Sequence, residues 1–161
     1  MGYSQGELDD AQARWDLCFP PDLVELLREH RPPFCGPRAI DWVLTEPDQI
    51  REMLDWPLEG FLFYVEHNGV RWTDWGDRPD NPGDRYDRLL EIFAAAPKLI
   101  PVYGHRYLPS APFEPGNPIL SVYQTDVICY GANLLDWLDR ERNGWSSKPW
   151  EGVHIKKSLS G

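Results

Sequence analysis

Apolar residues recur at helical spacing in four segments of the chain. The segment FPPDLVELLREH places Leu23, Leu26 and Leu27 on one face and predicts a helix with Pro21 in its first turn. The other three are TEPDQIREMLDW, RYDRLLEIFAAAP and NLLDWLDRER. In TEPDQIREMLDW, Thr45 is the predicted N-cap, Pro47 lies near the start, and the inward face consists of Ile50, Met53 and Leu54. In RYDRLLEIFAAAP, the predicted inward face consists of Leu89, Leu90 and Phe93.

Three other segments are rich in β-branched and aromatic residues and predict strands. FLFYVEHNGVRWTDW centres on Asn68-Gly69, a dipeptide typical of tight hairpin turns, and so predicts a β-hairpin. LIPVYGHRYL and PILSVYQTDVICYG predict further strands. Because strands and helices do not alternate regularly, the pattern predicts one α+β domain over residues 1–161, with a mainly antiparallel sheet packed by helices. Its core spans about residues 19–138, and residues 144–161 form a C-terminal tail.

Composition indicates a soluble globular protein: 42% of residues are apolar and 26% charged. No apolar run approaches the roughly 20 residues that a membrane span requires, and no secretion signal is found at the N-terminus. The odd, widely spaced cysteines Cys18, Cys35 and Cys129 fit a reducing compartment. We therefore expect a cytoplasmic protein that does not act at a membrane.

Negative charge is concentrated in the middle of the chain. Residues 41–91 hold thirteen acids and five arginines, a net charge of −8 out of −10 for the whole protein. Such a field repels phosphate backbones and attracts basic partners. The charge pattern therefore excludes nucleic acid as the expected partner and favours a basic protein, although a solubilising surface is the commoner meaning of such a charge bias.

His105 lies between two tyrosines in IPVYGHRYLP and is the first candidate for chemistry. As a general base it would need an orienting carboxylate, which Asp126 on a neighbouring strand could supply. Ser121 could be imagined as the nucleophile, but it lacks the flanking glycines of a nucleophile elbow. The alternative is a structural histidine that orients the connection between two strands, bonded to Asp126 or to a main-chain carbonyl.

No pattern in the chain predicts a metal or cofactor site. The four histidines are His30, His67, His105 and His154, with no i, i+4 pair among them. The acids of TDWGDRPDNPGD lack the D-x-D-x-D-G arrangement of a calcium loop. We expect neither metal nor cofactor.

The segment RWTDWGDRPD combines aromatic rings with acids and is the predicted partner-binding surface. Tryptophan is enriched at binding hot spots, although it is also often buried. The candidate residues are Trp72, Asp74, Trp75, Asp77 and Asp80.

Taken together, these segments resemble the SUKH superfamily of cell-wall-assembly-regulator-like proteins, in one of its bacterial branches. The matching motifs occur in the order PPDLVELL, PLEGFLFYVEHNG, WTDWGDRP, APKLIPVYGHRYLPSAP, GNPILSVYQTDVICYG and NLLDWL. They run from about Phe19 to Leu138, whereas HRPPFCGP and the basic tail depart from the family's pattern. The resemblance implies a curved, mainly antiparallel sheet packed by helices, a non-enzymatic role and no catalytic residues. The matching positions, expected to serve the fold, include His105, Tyr107, Asn117, Ser121, Asp126 and Gly131.

Many bacterial members of that family resemble immunity proteins, which bind and neutralise a toxin. The sequence therefore predicts a cytoplasmic binding module for a basic toxin domain. One alternative is a regulatory scaffold that neutralises no toxin. A second is a small hydrolase that uses His105 and Asp126.

Overall fold

The computed structural model describes residues 1–31, 38–67, 76–124 and 126–143. These ranges contain five helices and four strands. The helices are α1 (Gln5–Trp15), α2 (Pro21–Glu29), α3 (Pro47–His67), α4 (Pro82–Ala95) and α5 (Leu134–Asn143). The strands are β1 (Leu99–Tyr103), β2 (Arg106–Pro109), β3 (Ile119–Tyr123) and β4 (Asp126–Gly131).

The four strands form one antiparallel sheet in the order β1-β2-β3-β4. Each strand pairs with its neighbour in the chain, as in the register that sets Ile100 opposite Leu108 and Leu120 opposite Cys129. The sheet is open, with β1 and β4 at its edges. The predicted α+β fold class and the strands on either side of His105 are confirmed.

Alternate residues of the sheet face two different apolar clusters. Leu108 and Ile119 join the main core, which also holds Leu8 of α1, Leu23 of α2 and Trp137 of α5. Their neighbours in the strands belong to a second cluster, made of Tyr107, Leu120 and Val122 with Trp56 and Leu99 packed against it. The half-buried Trp56 ring of α3 thus covers the second face of the sheet.

Helix α1 was not among the predicted helices. Ser4 and Glu7 form a capping box at its start, in which each side chain accepts the backbone N–H of the other residue. Only Leu8 and Ala11 of this helix are buried, so its apolar stripe is too short to stand out by periodicity. The Ser-x-x-Glu spacing was the signal that could have revealed it.

The predicted strand in the first half of FLFYVEHNGVRWTDW is wrong, because residues 61–67 continue α3. The helical prediction ended at Trp56, one residue before Pro57, which cannot donate a helical hydrogen bond. In the structure Pro57 lies buried inside the helix. Val65 packs with Leu89 of α4 and with the partly buried Phe61, Leu62 and Ile92, so the pairing of two helices overrides the local strand propensity. The Asn68-Gly69 turn and the second half of the predicted hairpin lie outside the described residues.

Two details of the predicted helices are also wrong. The Thr45 hydroxyl accepts the backbone N–H of Asp41 at 2.9 Å, so it serves the turn before α3 rather than a helical N–H. Leu90 points outward and is 36% exposed, whereas its neighbour Leu89 is fully buried. The α4 stripe is therefore narrower than predicted, because Leu89, and not Leu90, lies on the face that packs against Val65 of α3.

Candidate functional site

His105 lies in the tight turn that joins β1 to β2, as the sequence predicts. Gly104 precedes it with a φ of +53°, a left-handed conformation that glycine adopts without strain. The Gly104 N–H donates to the Arg38 carbonyl, and the Val122 N–H donates to the His105 carbonyl, each at 3.0 Å. The main chain of this turn is thereby held from both sides.

The His105 imidazole stacks on the indole of Trp56. The ring centroids are 4.7 Å apart and the planes meet at 20°, while the Tyr123 ring stands edge-on at 6.0 Å. Trp56 is itself held by a hydrogen bond from its Nε1 to the Val122 carbonyl at 3.1 Å. Burial, reinforced by the charges of Arg38 and Arg106, lowers the pKa of His105 below its ordinary value. The neutral imidazole is thus the favoured form.

The expected pairing of His105 with Asp126 is wrong. Asp126 is exposed at the start of β4, where it pairs with Tyr123. Strand β3 separates β4 from β2, and Asp126 is not among the charged groups that shift the pKa of His105. Within the described ranges, no hydrogen bond from the imidazole to a carbonyl or carboxylate is found, and ring stacking takes the place of the predicted bond. The His105–Asp126 pair that a hydrolase would need is not assembled.

A cleft of about 560 Å³ opens beside His105, between the β1–β2 turn and α3. Its polar lining residues include Arg38, Gln49 and Glu52, and Trp56 supplies an aromatic wall. Neither Arg38 nor Glu52 forms an ion pair with another described residue. The cleft can therefore accept hydrogen-bonding groups of either charge beside an aromatic ring. Sequence reasoning found His105 but missed the cleft, because its lining residues come from distant parts of the chain.

Tyr107 and Asn117 use buried hydrogen bonds to join separate parts of the fold. The Tyr107 hydroxyl donates to the Met53 carbonyl of α3 at 2.6 Å, and burial raises the pKa of this hydroxyl. The fully buried Asn117 amide donates to the carbonyls of Pro109 and Pro112, each at 3.0 Å. The first bond ties α3 to β2, and the second ties the loop before β3 to the end of β2.

Ser121 and Gly131 complete the predicted structural set. Ser121 is half-buried in β3, opposite Arg106 on one side and Ile128 on the other. A Cβ atom at Gly131 would lie 2.5 Å from the Cβ of Trp137, far inside contact distance. Glycine at this position lets α5 pack closely on the end of β4.

Most of the predicted partner-binding surface cannot be placed, since Trp72, Asp74 and Trp75 lie outside the described residues. Asp77 and Asp80 are exposed in the segment before α4. The Asp80 carbonyl accepts a hydrogen bond from Arg85 at 2.8 Å, which anchors the main chain there. The role of this surface stays a prediction.

A second acidic surface runs along α3 and was missed. Asp48, Glu52, Asp55 and Glu59, here called the acidic ridge, are all exposed. Their spacing of four, three and four residues keeps them within about 60° of one another around the helix axis. No described residue forms an ion pair with any of the four. The spacing was visible in the sequence, but only a continuous α3 turns it into a single line of charge.

The acidic ridge belongs to a larger negative region. Of the twelve described acids in residues 41–91, all but Asp41 are exposed. Two are neutralised locally: Glu66 pairs with Arg85, whose hydrogen bonds lower the pKa of the Glu66 carboxyl, and Glu91 pairs with Arg88. The remaining charge faces solvent across α3 and α4.

In the described part of the chain, no three histidine, cysteine, aspartate or glutamate side chains come together as a metal-binding group. No helix in these ranges combines the length and apolar character needed to cross a membrane.

Comparisons with models of protein families, with curated proteins and with solved structures found no match to this chain. The resemblance to the SUKH superfamily thus stays a prediction made from its motifs.

Proposed function

We propose that this protein is a non-enzymatic binding module that holds a basic protein partner against the acidic ridge of α3. The observation that carries the proposal is the line of four exposed carboxylates with which no described residue forms an ion pair. Like charges one turn apart slightly destabilise a helix, so the line is an unfavourable arrangement for folding alone. A basic partner would turn that repulsion into attraction.

The partner class is a basic toxin domain that the protein neutralises as an immunity protein. The motif resemblance supports this class, and the electrostatics support it independently. A surface of one sign steers an oppositely charged partner and accelerates encounter about 10- to 1,000-fold at low salt. Rapid capture suits a protein that must neutralise a toxin before it acts.

Growth rescue tests the neutralising role. Toxin domains of basic charge are co-expressed with this protein, and survival is scored. Rescue by the wild-type chain supports immunity. Binding without rescue would favour the regulatory scaffold instead, and neither binding nor rescue contradicts both.

Association kinetics with a rescued toxin test the surface. The double variant Glu52→Lys with Asp55→Lys should slow association at least about tenfold at low ionic strength and flatten its salt dependence. The matched control, Asp10→Lys with Glu25→Lys, changes the net charge equally at exposed sites on α1 and α2. An association rate that responds equally to both pairs would show that net charge, and not the acidic ridge, guides the partner.

A further inference from the structure

An apolar groove lies on the flank of α3, on the other side of the helix from the His105 cleft. Its volume is about 520 Å³. Its lining is mainly aliphatic and aromatic and includes Leu54, Leu58, Phe93, Leu99, Val122 and Val127. The groove thus brings together α3, the end of α4 and three strands of the sheet. A depression of this size takes one or two large apolar side chains.

The wall formed by β4 is unusually open. Val127 is 50% exposed, and β4 is the last strand of the sheet, so no described strand lies along its outer edge. An exposed β-branched residue beside an open sheet edge is characteristic of a surface that a partner covers.

The acidic ridge borders this groove. Asp55 belongs to the ridge and also lines the groove, while Glu59 follows one turn further along α3. Glu52 lies on the side of the His105 cleft. A partner that inserted an apolar side chain into the groove would therefore place its neighbouring residues against carboxylates.

We infer that the groove binds a basic amphipathic segment of the protein partner, with an apolar side chain inserted between α3 and β4 and lysine or arginine side chains along the acidic ridge. This inference rests on the proposed function and adds the mode of docking to it. Charge complementarity selects the occupant, because the same helix supplies the apolar wall and carboxylates that form no ion pair with a described residue, while Lys98, which also lines the groove, is paired with Asp16. In this arrangement the groove anchors the partner's apolar side chain, and the ridge orients the partner and accelerates its association.

Two synthetic peptides of equal length and charge distinguish apolar binding in the groove from electrostatic binding to the acidic ridge. The first carries leucine at helical i, i+3 and i+4 spacing among lysines, and the second has glutamine at every leucine position. Affinities are measured with the wild-type chain by isothermal titration. The leucine peptide should bind at least about tenfold more tightly, since each buried apolar side chain contributes appreciably to association.

A groove-filling variant localises the effect. Ala96 lines the groove and is exposed, so Ala96→Trp should fill the site without disturbing the core. Ala94→Trp is the matched control, at an exposed α4 position that does not line the groove. Ala96→Trp should abolish the advantage of the leucine peptide and leave glutamine-peptide binding unchanged, whereas Ala94→Trp should alter neither. Circular dichroism melts confirm that each variant is folded.

The other outcomes overturn the inference in distinguishable ways. Equal binding of both peptides, weakened by Glu52→Lys with Asp55→Lys, would refute the groove and leave the proposed function standing. A leucine advantage that survives Ala96→Trp would place the apolar contact elsewhere. A wild-type dimer that dissociates on Ala96→Trp would assign the groove to a second copy of the chain. Failure of both peptides to bind at low salt would count against the groove and the proposed function together.

Discussion

The protein has polar groups in two opposite environments. The first is a buried junction, formed by the hydrogen bonds of Tyr107 in β2 and of Asn117 just before β3. The second is the exposed acidic ridge of α3. In the junction, Tyr107 and Asn117 are buried, and both donate to main-chain carbonyls. On the ridge, four carboxylates face solvent without an ion pair to any described residue. A buried donor is costly to remove, because its acceptor is left without water, whereas an exposed charge costs little to change. Stability should therefore depend on the junction, and partner binding on the ridge.

The largest effect is expected at Asn117. The substitution Asn117→Ala leaves the Pro109 carbonyl without this buried donor, while the Pro112 carbonyl keeps the N–H of Glu114, and it should lower the free energy of unfolding by about 2–3 kcal/mol. Urea denaturation measures the loss. In the control Asn143→Ala, an exposed amide–carboxylate bond is removed at the end of α5, and the change should stay within about 0.5 kcal/mol. Equal losses in the two variants would break the distinction between buried and exposed polar groups.

Tyr107→Phe should have a smaller effect of the same kind. It removes only the hydroxyl and leaves the Met53 carbonyl unpaired, for a loss of about 1–2 kcal/mol. Tyr86→Phe makes the same chemical change at an exposed ring and should alter stability by less than about 0.5 kcal/mol. Thermal melts of both variants at matched concentration provide the comparison.

His105 lies at the boundary between the two regions and should couple stability to pH. Its folded-state pKa is lowered, so below the ordinary value near 6.5 the unfolded chain binds the proton more readily. The stabilising contribution of the neutral imidazole is present above that value and is lost as the pH falls towards the folded-state pKa.

His105→Phe keeps a ring against Trp56 and removes this titration. Between about pH 7.5 and pH 5 the wild type should lose more stability than the variant, as measured by urea unfolding, because only the wild type takes up this proton. Carboxylates titrate in both proteins alike, so the difference isolates the imidazole. Parallel pH profiles would show that burial of His105 has no energetic consequence.

The smallest effect, and of opposite sign, is expected on the ridge. Glu52→Gln with Asp55→Asn removes repulsion between like charges one turn apart and should raise stability by about 0.5 kcal/mol at low salt. High salt should erase the gain. Asp84→Asn is the control, because Asp84 lies in the first turn of α4 and favours the helix dipole, so its loss should be slightly destabilising. A loss of stability in the ridge variant would mean that the ridge serves the fold.

Local pattern predicted the second half of the fold closely. The strands on either side of His105 have buried residues on both faces of the sheet, and Gly104 marks the turn between β1 and β2. Each strand pairs with its neighbour in the chain, so the strand order follows from the order of the segments in the sequence. The same reasoning failed at residues 61–67, where β-branched and aromatic residues suit a strand and a buried helix equally well.

The candidate site was only partly accessible from sequence. His105 was identified from its chemistry, but its partner was not, because stacking on Trp56 depends on where α3 crosses the sheet. The sequence shows the concentration of acids in residues 41–91. Their concentration into a ridge required α3 to continue past Pro57, which the local signals opposed.

By itself, the sequence determined the α+β class, the segments that become the sheet, the negative charge of the middle region and the position of His105 in a turn. These properties depend on neighbours in the chain, on composition, or on backbone preference. Tertiary structure alone decided that Val65 and Leu89 pair two helices, that Tyr107 and Asn117 bridge distant elements, and that an apolar groove borders the acidic ridge. The physical reason is that burial and contact are properties of surfaces brought together by folding, and the same residues can satisfy more than one local pattern before that choice is made.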